Sequence, residues 1–240
     1  MAEKKPSATE WSVAPHRDIE ELAENLWRVV GDIPGIPGLL RQMIVARRAD
    51  KTLVIHNPIA LDDEHMRVLE QKGPIAFLVV PSGGHRIDIA RFKARYPNAR
   101  VVCPPGAKER VSEVVPVDET YDTFVADEAV SLSVVDGLDG REGVMEVRSS
   151  DGVTLVFNDL VFNHPHLPGL MGLIVRLLGS TGGPRVTLVG RLSLVRDKQK
   201  AKAALAALAA TPGLVRVVPA HVDVIHVDAQ KTLAEVAARL

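Results

Sequence analysis

The chain has 240 residues, of which 46% are hydrophobic and 25% are charged, and its formal net charge is -1. This composition is typical of a globular protein, and the near-neutral charge without a sustained basic run argues against nucleic acid or an anionic membrane as a partner. The single cysteine excludes an intrachain disulfide framework and, with a polar N-terminus that lacks a signal-peptide core, favours a soluble cytoplasmic protein.

The first half of the sequence predicts paired strands followed by alternating helices and strands. Residues 1–15 are expected to form a mobile tail, and residues 16–240 a single domain. Alternating β-branched residues between 26 and 61 predict two or three antiparallel strands. After them come a helix over 64–71, a buried strand over 74–80, a helix over 88–95 and a strand over 99–105.

The second half predicts a hairpin and then a further helix, strand and helix. Strands are expected at 129–135, 143–150 and within 153–162, with a hairpin turn at Asp151-Gly152. Asp197 is placed to cap a helix over 198–210, and a strand over 214–221 and a helix over 229–240 follow. Antiparallel strand groups that alternate with strand–helix units favour a layered α/β (α+β) protein built around a sheet sandwich.

Three polar residues stand at the carboxyl ends of predicted apolar strands. His85 follows the strand FLVV, Asp159 follows TLVFN and His221 follows VRVVPA. Ligands and active sites gather at such strand ends in α/β proteins. Two imidazoles and a carboxylate can together hold Zn²⁺ or Fe²⁺ and leave coordination positions open, so these residues are the candidate metal ligands.

The order of the elements resembles the metallo-β-lactamase fold, a four-layer αβ/βα sandwich, from residue 19 onward. PIAFLVVPSGGHRIDIARF lies where that family has its H-x-H-x-D-H signature, and VTLVFNDLVF resembles the strand ending in G-D-L-x-F. VVPAHVD resembles the strand that supplies the family's last histidine. The chain is similar to members of the superfamily with a degenerate signature, including a domain family of unknown function.

The resemblance carries only part of the family's ligand set onto this sequence. His85 matches the final histidine of H-x-H-x-D-H, Asp159 the bridging aspartate and His221 the last histidine. Ser82 and Gly84 fall near a missing histidine and a missing aspartate, and Leu138 replaces the middle histidine. The resemblance therefore implies one zinc or iron ion per chain and a mononuclear metal-dependent hydrolase, with Asp159 and His85 as its catalytic residues.

Further residues are candidates for binding a small-molecule substrate in that cleft, namely Ser82, Gly83, Gly84, Leu138 and His164. His164, His166, Asp223 and His226 are also candidates to replace a lost metal ligand. The reaction and the substrate stay open.

Two alternatives to a hydrolase remain. Gly83 and Gly84 precede a predicted helix, which would suit a metal-free module that binds a small anion, with His85 or Arg86 as an added donor. The apolar segment 167–178 would suit a protein-interaction module or a homodimer, and it could equally be a lid over the cleft.

Overall fold

The computed structural model describes residues 7–34, 40–166, 169, 173, 176, 179, 181–221 and 223–240, and these form two β-sheets and six α-helices. The seven-stranded sheet follows chain order: β1 (Glu20–Ala23), β2 (Leu26–Asp32), β3 (Leu40–Arg47), β4 (Leu53–His56), β5 (Ile75–Val79), β6 (Arg100–Cys103) and β7 (Glu119–Thr120). The four-stranded sheet has the order β11 (Leu214–Val218), β10 (Gly152–Val156), β9 (Gly143–Ser149) and β8 (Val130–Val134).

Both sheets combine antiparallel and parallel pairs. Strands β1 to β4 are antiparallel neighbours, whereas β4 to β7 run parallel. In the smaller sheet, β8, β9 and β10 are antiparallel and β11 runs parallel to β10. The helices are α1 (Asp63–Glu70), α2 (Ile89–Arg95), α3 (Lys108–Ser112), α4 (Leu188–Ser193), α5 (Lys198–Ala209) and α6 (Ala229–Arg239).

Alternation along the strands divides the core into three apolar clusters. In β4, Leu53 and Ile55 face the cluster formed with α1 and α2, whereas Val54 faces the cluster between the two sheets. In β10, Leu155 faces the cluster formed with α5 and α6, and Val156 faces the inter-sheet cluster. Successive side chains of a strand point to opposite faces, so each sheet packs on helices outside and on the other sheet inside. The four-layer αβ/βα sandwich predicted from the sequence is confirmed.

The helix caps explain why several boundaries follow the sequence closely. The Asp62 carboxylate accepts the His65 N–H at 2.9 Å and caps α1, and Asp197 accepts the Lys200 N–H at 3.0 Å and caps α5. An Asp at this position satisfies one of the free amides of the first helical turn. Tyr96 follows α2 directly, and the next residue is Pro97. A proline disfavours the α-helical conformation of the residue before it, so the helix ends there.

Some elements differ from the sequence prediction. The helices α3 and α4 were not predicted, and a short 3-10 turn, Pro105–Ala107, leads into α3. The strand predicted within 153–162 ends at Val156, because the chain leaves the sheet there to present Asp159. Most of the apolar segment 167–178, with its predicted lid or dimer role, lies outside the described residues.

The N-terminal segment contacts the core before residue 16, where the sequence placed the end of a mobile tail. Trp11 donates its indole N–H to the Leu61 carbonyl at 2.9 Å and packs on Phe92 with ring centroids 5.1 Å apart. The Asp32 N–H donates to the Pro15 carbonyl at 2.9 Å. The ordered contacts therefore begin at about Trp11, ahead of the predicted domain boundary.

The start of β3 is bonded to the segment that follows β11 in the other half of the chain. The backbone N–H of Gln42 donates to the Ala220 carbonyl at 3.0 Å, and its side-chain amide donates to the Pro219 carbonyl at 2.8 Å. Both sheets thereby contribute to one edge of the molecule, where the polar residues at the strand ends meet. No described helix has the length and hydropathy needed to cross a membrane.

Cys103, at the end of β6, is expected to be inert towards thiol reagents in the folded protein. Its side chain is fully buried, and burial raises the pKa of the thiol to about 11, so almost no thiolate is present at neutral pH. A disulfide-exchange reagent such as Ellman's should label no thiol in native protein and one per chain in guanidinium. Rapid labelling of the native protein at pH 7 would contradict this burial.

Candidate metal centre

His85, Asp159 and His221 come together at the edge where strands of both sheets end. His85 lies in the turn after β5, Asp159 follows β10 and His221 follows β11. His85 Nε2 is 3.1 Å from Asp159 Oδ2, and His221 Nε2 is 3.5 Å from Asp159 Oδ1. One potential ligand atom from each residue lies within 4.8 Å of the others. The strand-end positions noted in the sequence therefore converge on one point.

Each imidazole is oriented through its other ring nitrogen. His221 Nδ1 donates to the Leu40 carbonyl at 2.7 Å, and His85 Nδ1 is 3.3 Å from Asn57 Oδ1. The amide of Asn57 is oriented by its N–H donation to the Gln42 carbonyl at 2.8 Å, which leaves Oδ1 as the acceptor for His85. A proton on Nδ1 leaves a lone pair on Nε2 in a neutral imidazole.

This donor set fits a cation. With Nδ1 protonated, each Nε2 lone pair faces the Asp159 carboxylate, so acceptors face acceptors unless a positive charge lies among them. Histidine ligands of metals usually donate their second N–H to a carbonyl or carboxylate, as these two rings do. A divalent ion with two imidazoles and one carboxylate is a common mononuclear arrangement that leaves positions for water or substrate.

Electrostatics at Asp159 favour the ionised carboxylate that a metal requires. Burial alone would raise the pKa of Asp159, but with protons on both Nε2 atoms the charge of His85 and hydrogen bonds from His221 and His85 outweigh it and hold the pKa well below its usual range. A metal ion among the same three groups would take the place of these protons and favour the carboxylate in the same way. His221 is also fixed from the side by Phe162, whose ring stacks on the imidazole with centroids 4.5 Å apart. The Asp159 carboxylate is thus ionised, and His221 is held in place by its neighbours.

Glu142 positions the loop that presents Asp159, and sequence reasoning missed it. Its fully buried carboxylate accepts the backbone N–H groups of three consecutive residues, at 3.1 Å from Asn158, 3.0 Å from Asp159 and 2.8 Å from Leu160. Burial, followed by the charge of Asp159, raises the pKa of Glu142 to about 8, against the effect of the three N–H donors. A glutamate between Arg141 and Gly143 gave no sequence signal of burial.

A cleft of about 500 Å³ opens beside Asp159. Ser82, Gly83 and Gly84 line it, as the sequence predicted for the substrate side of the site. Arg110 of α3 and Arg141 also line it, and neither was predicted. The Ser82 hydroxyl oxygen accepts hydrogen bonds from the Gly84 N–H at 3.4 Å and from the Asn158 side-chain amide at 3.3 Å, so two donors fix its position.

The other candidate site residues lie elsewhere. Leu138 is fully buried in the apolar cluster that includes Leu160, and it is not among the described residues that line the cleft. His164 is buried, with Nδ1 bonded to the Pro165 carbonyl at 2.9 Å and Nε2 without a partner in the described part of the chain. Asp223 and His226 are exposed and do not belong to the His85 cluster.

The glycine turn does not have the geometry of an anion site at a helix terminus. Helix α2 begins only at Ile89, five residues after Gly84, so its free N–H groups do not lie at the glycines. Arg86 turns away to pair with Glu113 at 2.7 Å and to donate to the Arg110 carbonyl. The helix-terminus part of the metal-free alternative is therefore corrected by the structure.

A second group of possible ligands, His16, Asp62 and His65, lies at the start of α1. Its atoms are already used for hydrogen bonding. His16 donates from Nδ1 to the Arg17 carbonyl at 3.0 Å and accepts the Asp62 N–H at Nε2 at 3.2 Å. Asp62 caps the helix and bonds His65 Nδ1 at 2.8 Å. This group is well explained as a helix cap.

No family model matches the sequence, and no curated protein shows significant similarity to it. Solved structures do match over nearly the full length. A metallo-β-lactamase from Erythrobacter litoralis, with β-mercaptoethanol in its active site, is 14% identical, with a TM-score of 0.63 over 92% of this chain and 96% of that one. FIM-1 from Pseudomonas aeruginosa in its mono-zinc form is 12% identical, with a TM-score of 0.59 over 95% and 96% of the two chains.

A third match, a metallo-β-lactamase from Pontibacter korlensis, is 12% identical, with a TM-score of 0.60 over 93% of this chain and 99% of that one. At such identities the agreement concerns the course of the backbone, over nearly the full length of each chain. The four layers of the molecule and these full-length matches agree: the chain has the metallo-β-lactamase fold.

Proposed function

We propose that this chain is a metal-dependent hydrolase with a mononuclear centre held by His85, Asp159 and His221. The observation that carries the proposal is the orientation of the two imidazoles. Their Nδ1 atoms bond oxygen atoms of Asn57 and Leu40, which directs both Nε2 atoms at the Asp159 carboxylate. With neutral imidazoles, two Nε2 lone pairs and the Asp159 carboxylate face one another, and a divalent cation among them would interact favourably with all three.

A divalent ion in such a site acts as a Lewis acid, which polarises a substrate oxygen and lowers the pKa of water. The protein's own groups then supply orientation. Ser82 lines the cleft and has its oxygen fixed by Gly84 and Asn158, so its hydroxyl proton is available to a substrate oxygen. Gly84 leaves room for close approach, because a side chain there would meet only the Ser82 hydroxyl oxygen, at 3.8 Å.

Among the described residues, the proposed centre has three protein ligands, enough for a single ion, so we expect one zinc or iron ion per chain. Protein purified without chelator should contain about one ion per chain by elemental analysis, and His85→Ala or His221→Ala should lower that content sharply. Added metal should raise the midpoint of thermal unfolding of the wild type, because the ion binds only the folded state.

His65→Ala is the matched control, since it removes an imidazole from the second histidine and aspartate group. The metal content of this variant should equal that of the wild type. If His65→Ala loses the ion and His85→Ala keeps it, the centre has been assigned to the wrong group. If the wild type neither contains nor responds to zinc, iron or manganese, the hydrolase proposal fails and a metal-free binding module replaces it.

A further inference from the structure

Two arginines line the cleft beside the candidate metal centre, and no described carboxylate pairs with either. Arg110 and Arg141 line the same cleft as Ser82 and Asp159. In the described part of the chain, neither forms an ion pair, and the only hydrogen bond of the Arg141 guanidinium is to the Ser193 carbonyl at 3.2 Å. Arg86, by contrast, forms an ion pair with Glu113 at 2.7 Å. The guanidinium groups at the cleft are therefore available to a ligand.

The backbone holds these two arginines on joined segments. Gly106, in the turn before α3, donates its N–H to the Gly140 carbonyl at 2.8 Å, one residue before Arg141. Gly140 has a φ of 66°, which glycine adopts without strain. This contact ties the segment that carries Arg110 to the turn that carries Arg141, so the two residues lie on joined segments of the cleft lining.

Gly83 provides the surface on which the stem of Arg110 lies. A side chain at Gly83 would meet Arg110 Cδ at 3.1 Å and Cβ at 3.2 Å, closer than an ordinary van der Waals contact. The absence of a side chain thus allows the aliphatic part of Arg110 to pack on the glycine turn. An arginine with a packed stem loses less freedom when its guanidinium binds an anion.

The net charge of the cleft becomes positive when a metal ion is present. Glu109 and Asp159 offset the charges of Arg110 and Arg141 along the lining. A divalent ion among His85, Asp159 and His221 would therefore leave the cleft positive overall. A positive, partly enclosed cleft concentrates anions, and a guanidinium can bind a carboxylate or phosphate through two parallel hydrogen bonds.

We propose that the cleft selects substrates that carry an oxyanion, either a carboxylate or a phosphate, and that Arg110 and Arg141 bind this group beside the bond to be hydrolysed. The inference rests on the proposed function for the reaction, but the arginines would bind the anion by themselves. It extends that function by naming the substrate class. The arginines act as binding residues, and they carry no part of the metal site.

The first test is a pair of esters of equal chain length, in which a methyl group replaces the carboxylate. Mono-4-nitrophenyl succinate carries a free carboxylate, and 4-nitrophenyl butyrate carries a methyl group in its place; bis(4-nitrophenyl) phosphate serves as the phosphate arm. The metal-loaded wild type should prefer an anionic substrate by about tenfold or more in kcat/KM, the value of one charge-assisted contact. Arg110→Gln with Arg141→Gln should abolish the preference through KM while leaving the metal content unchanged.

The matched control is Lys108→Gln, which removes one positive charge from the same helix at a residue outside the described lining. It should retain the preference. Equal hydrolysis of the neutral and anionic esters, or a preference that survives in the double variant, would overturn the inference. The carboxylate and phosphate arms then show which oxyanion is favoured.

A binding measurement separates this inference from the proposed reaction. Calorimetry with succinate and inorganic phosphate should detect binding to the metal-loaded wild type, weakened about tenfold or more in the double variant. Arginine-dependent binding without hydrolysis of any ester would support the anion site and contradict the hydrolase. Hydrolysis without binding of either anion would support the hydrolase and overturn the anion site.

Discussion

Glu142→Ala is expected to lower the free energy of unfolding by about 3–5 kcal/mol and to weaken metal binding at the same time. The carboxylate is fully buried and accepts three backbone N–H groups from residues 158–160. Alanine leaves these amides without an acceptor in the protein interior and opens a cavity. Denaturant titration of the metal-free protein measures the loss of stability, and metal affinity measures the displacement of Asp159.

Glu142→Gln distinguishes positioning from general stability. Oε1 accepts from Asn158 and Leu160, whereas Oε2 accepts from Asp159. A glutamine with its carbonyl at the Oε1 position keeps the first two bonds and places an NH₂ group against the Asp159 N–H. Most of the stability should be retained, and metal affinity should fall. Two variants indistinguishable from the wild type in both measurements would exclude a positioning role for Glu142.

Asp88→Ala is the second change with a large expected effect, a loss of about 3–5 kcal/mol in the free energy of unfolding. Asp88 is buried, and its carboxylate pairs with Arg41 and Arg91 and accepts the Ala60 N–H at 3.2 Å. Arg41 is 1% exposed, so removal of Asp88 leaves a guanidinium charge in the interior without its counter-charge. Equilibrium unfolding in urea gives the difference directly.

Changes at the two arginine partners of Asp88 test whether the buried Arg41 charge causes this loss of stability. Arg91→Met removes the more exposed partner, which is 16% accessible, and should cost much less than Asp88→Ala. Arg41→Met combined with Asp88→Leu replaces the buried pair by apolar groups and should recover part of the stability lost in Asp88→Ala, because the fully buried Arg41 charge is removed together with its partner. An Asp88→Ala protein as stable as Arg91→Met would rule out burial of the Arg41 charge as the cause.

The layered fold could be predicted because local patterns and the resemblance agreed. Continuous apolar runs gave β5, β6 and β11, and Asp62 and Asp197 marked the starts of their helices. Helices α3 and α4 were missed for a physical reason. They have five and six residues, too few for a helical period to stand out. Both border the cleft, so the wall that carries Arg110 could not be anticipated.

The residues of the candidate centre could be predicted from the sequence, whereas the groups that support them could not. His85, Asp159 and His221 stand at strand ends, which a sequence reveals. Glu142 lies in a loop between Arg141 and Gly143, where a glutamate is usually solvated, and its burial depends on amides 16 to 18 residues away. The contact of His221 Nδ1 with Leu40 joins residues 181 positions apart. Such pairings are fixed only when the two sheets pack together.

That pairing also determines when the centre can form during folding. The Leu40 carbonyl belongs to the first strands of the chain, and the imidazole that it orients comes from the segment after the last strand. Ordering this contact requires closure of a long loop, a step that slows folding and comes after local hairpins and helices have formed. Added metal should therefore leave the early refolding phases unchanged and act on the last one, in which the two halves of the chain become a single cooperative unit.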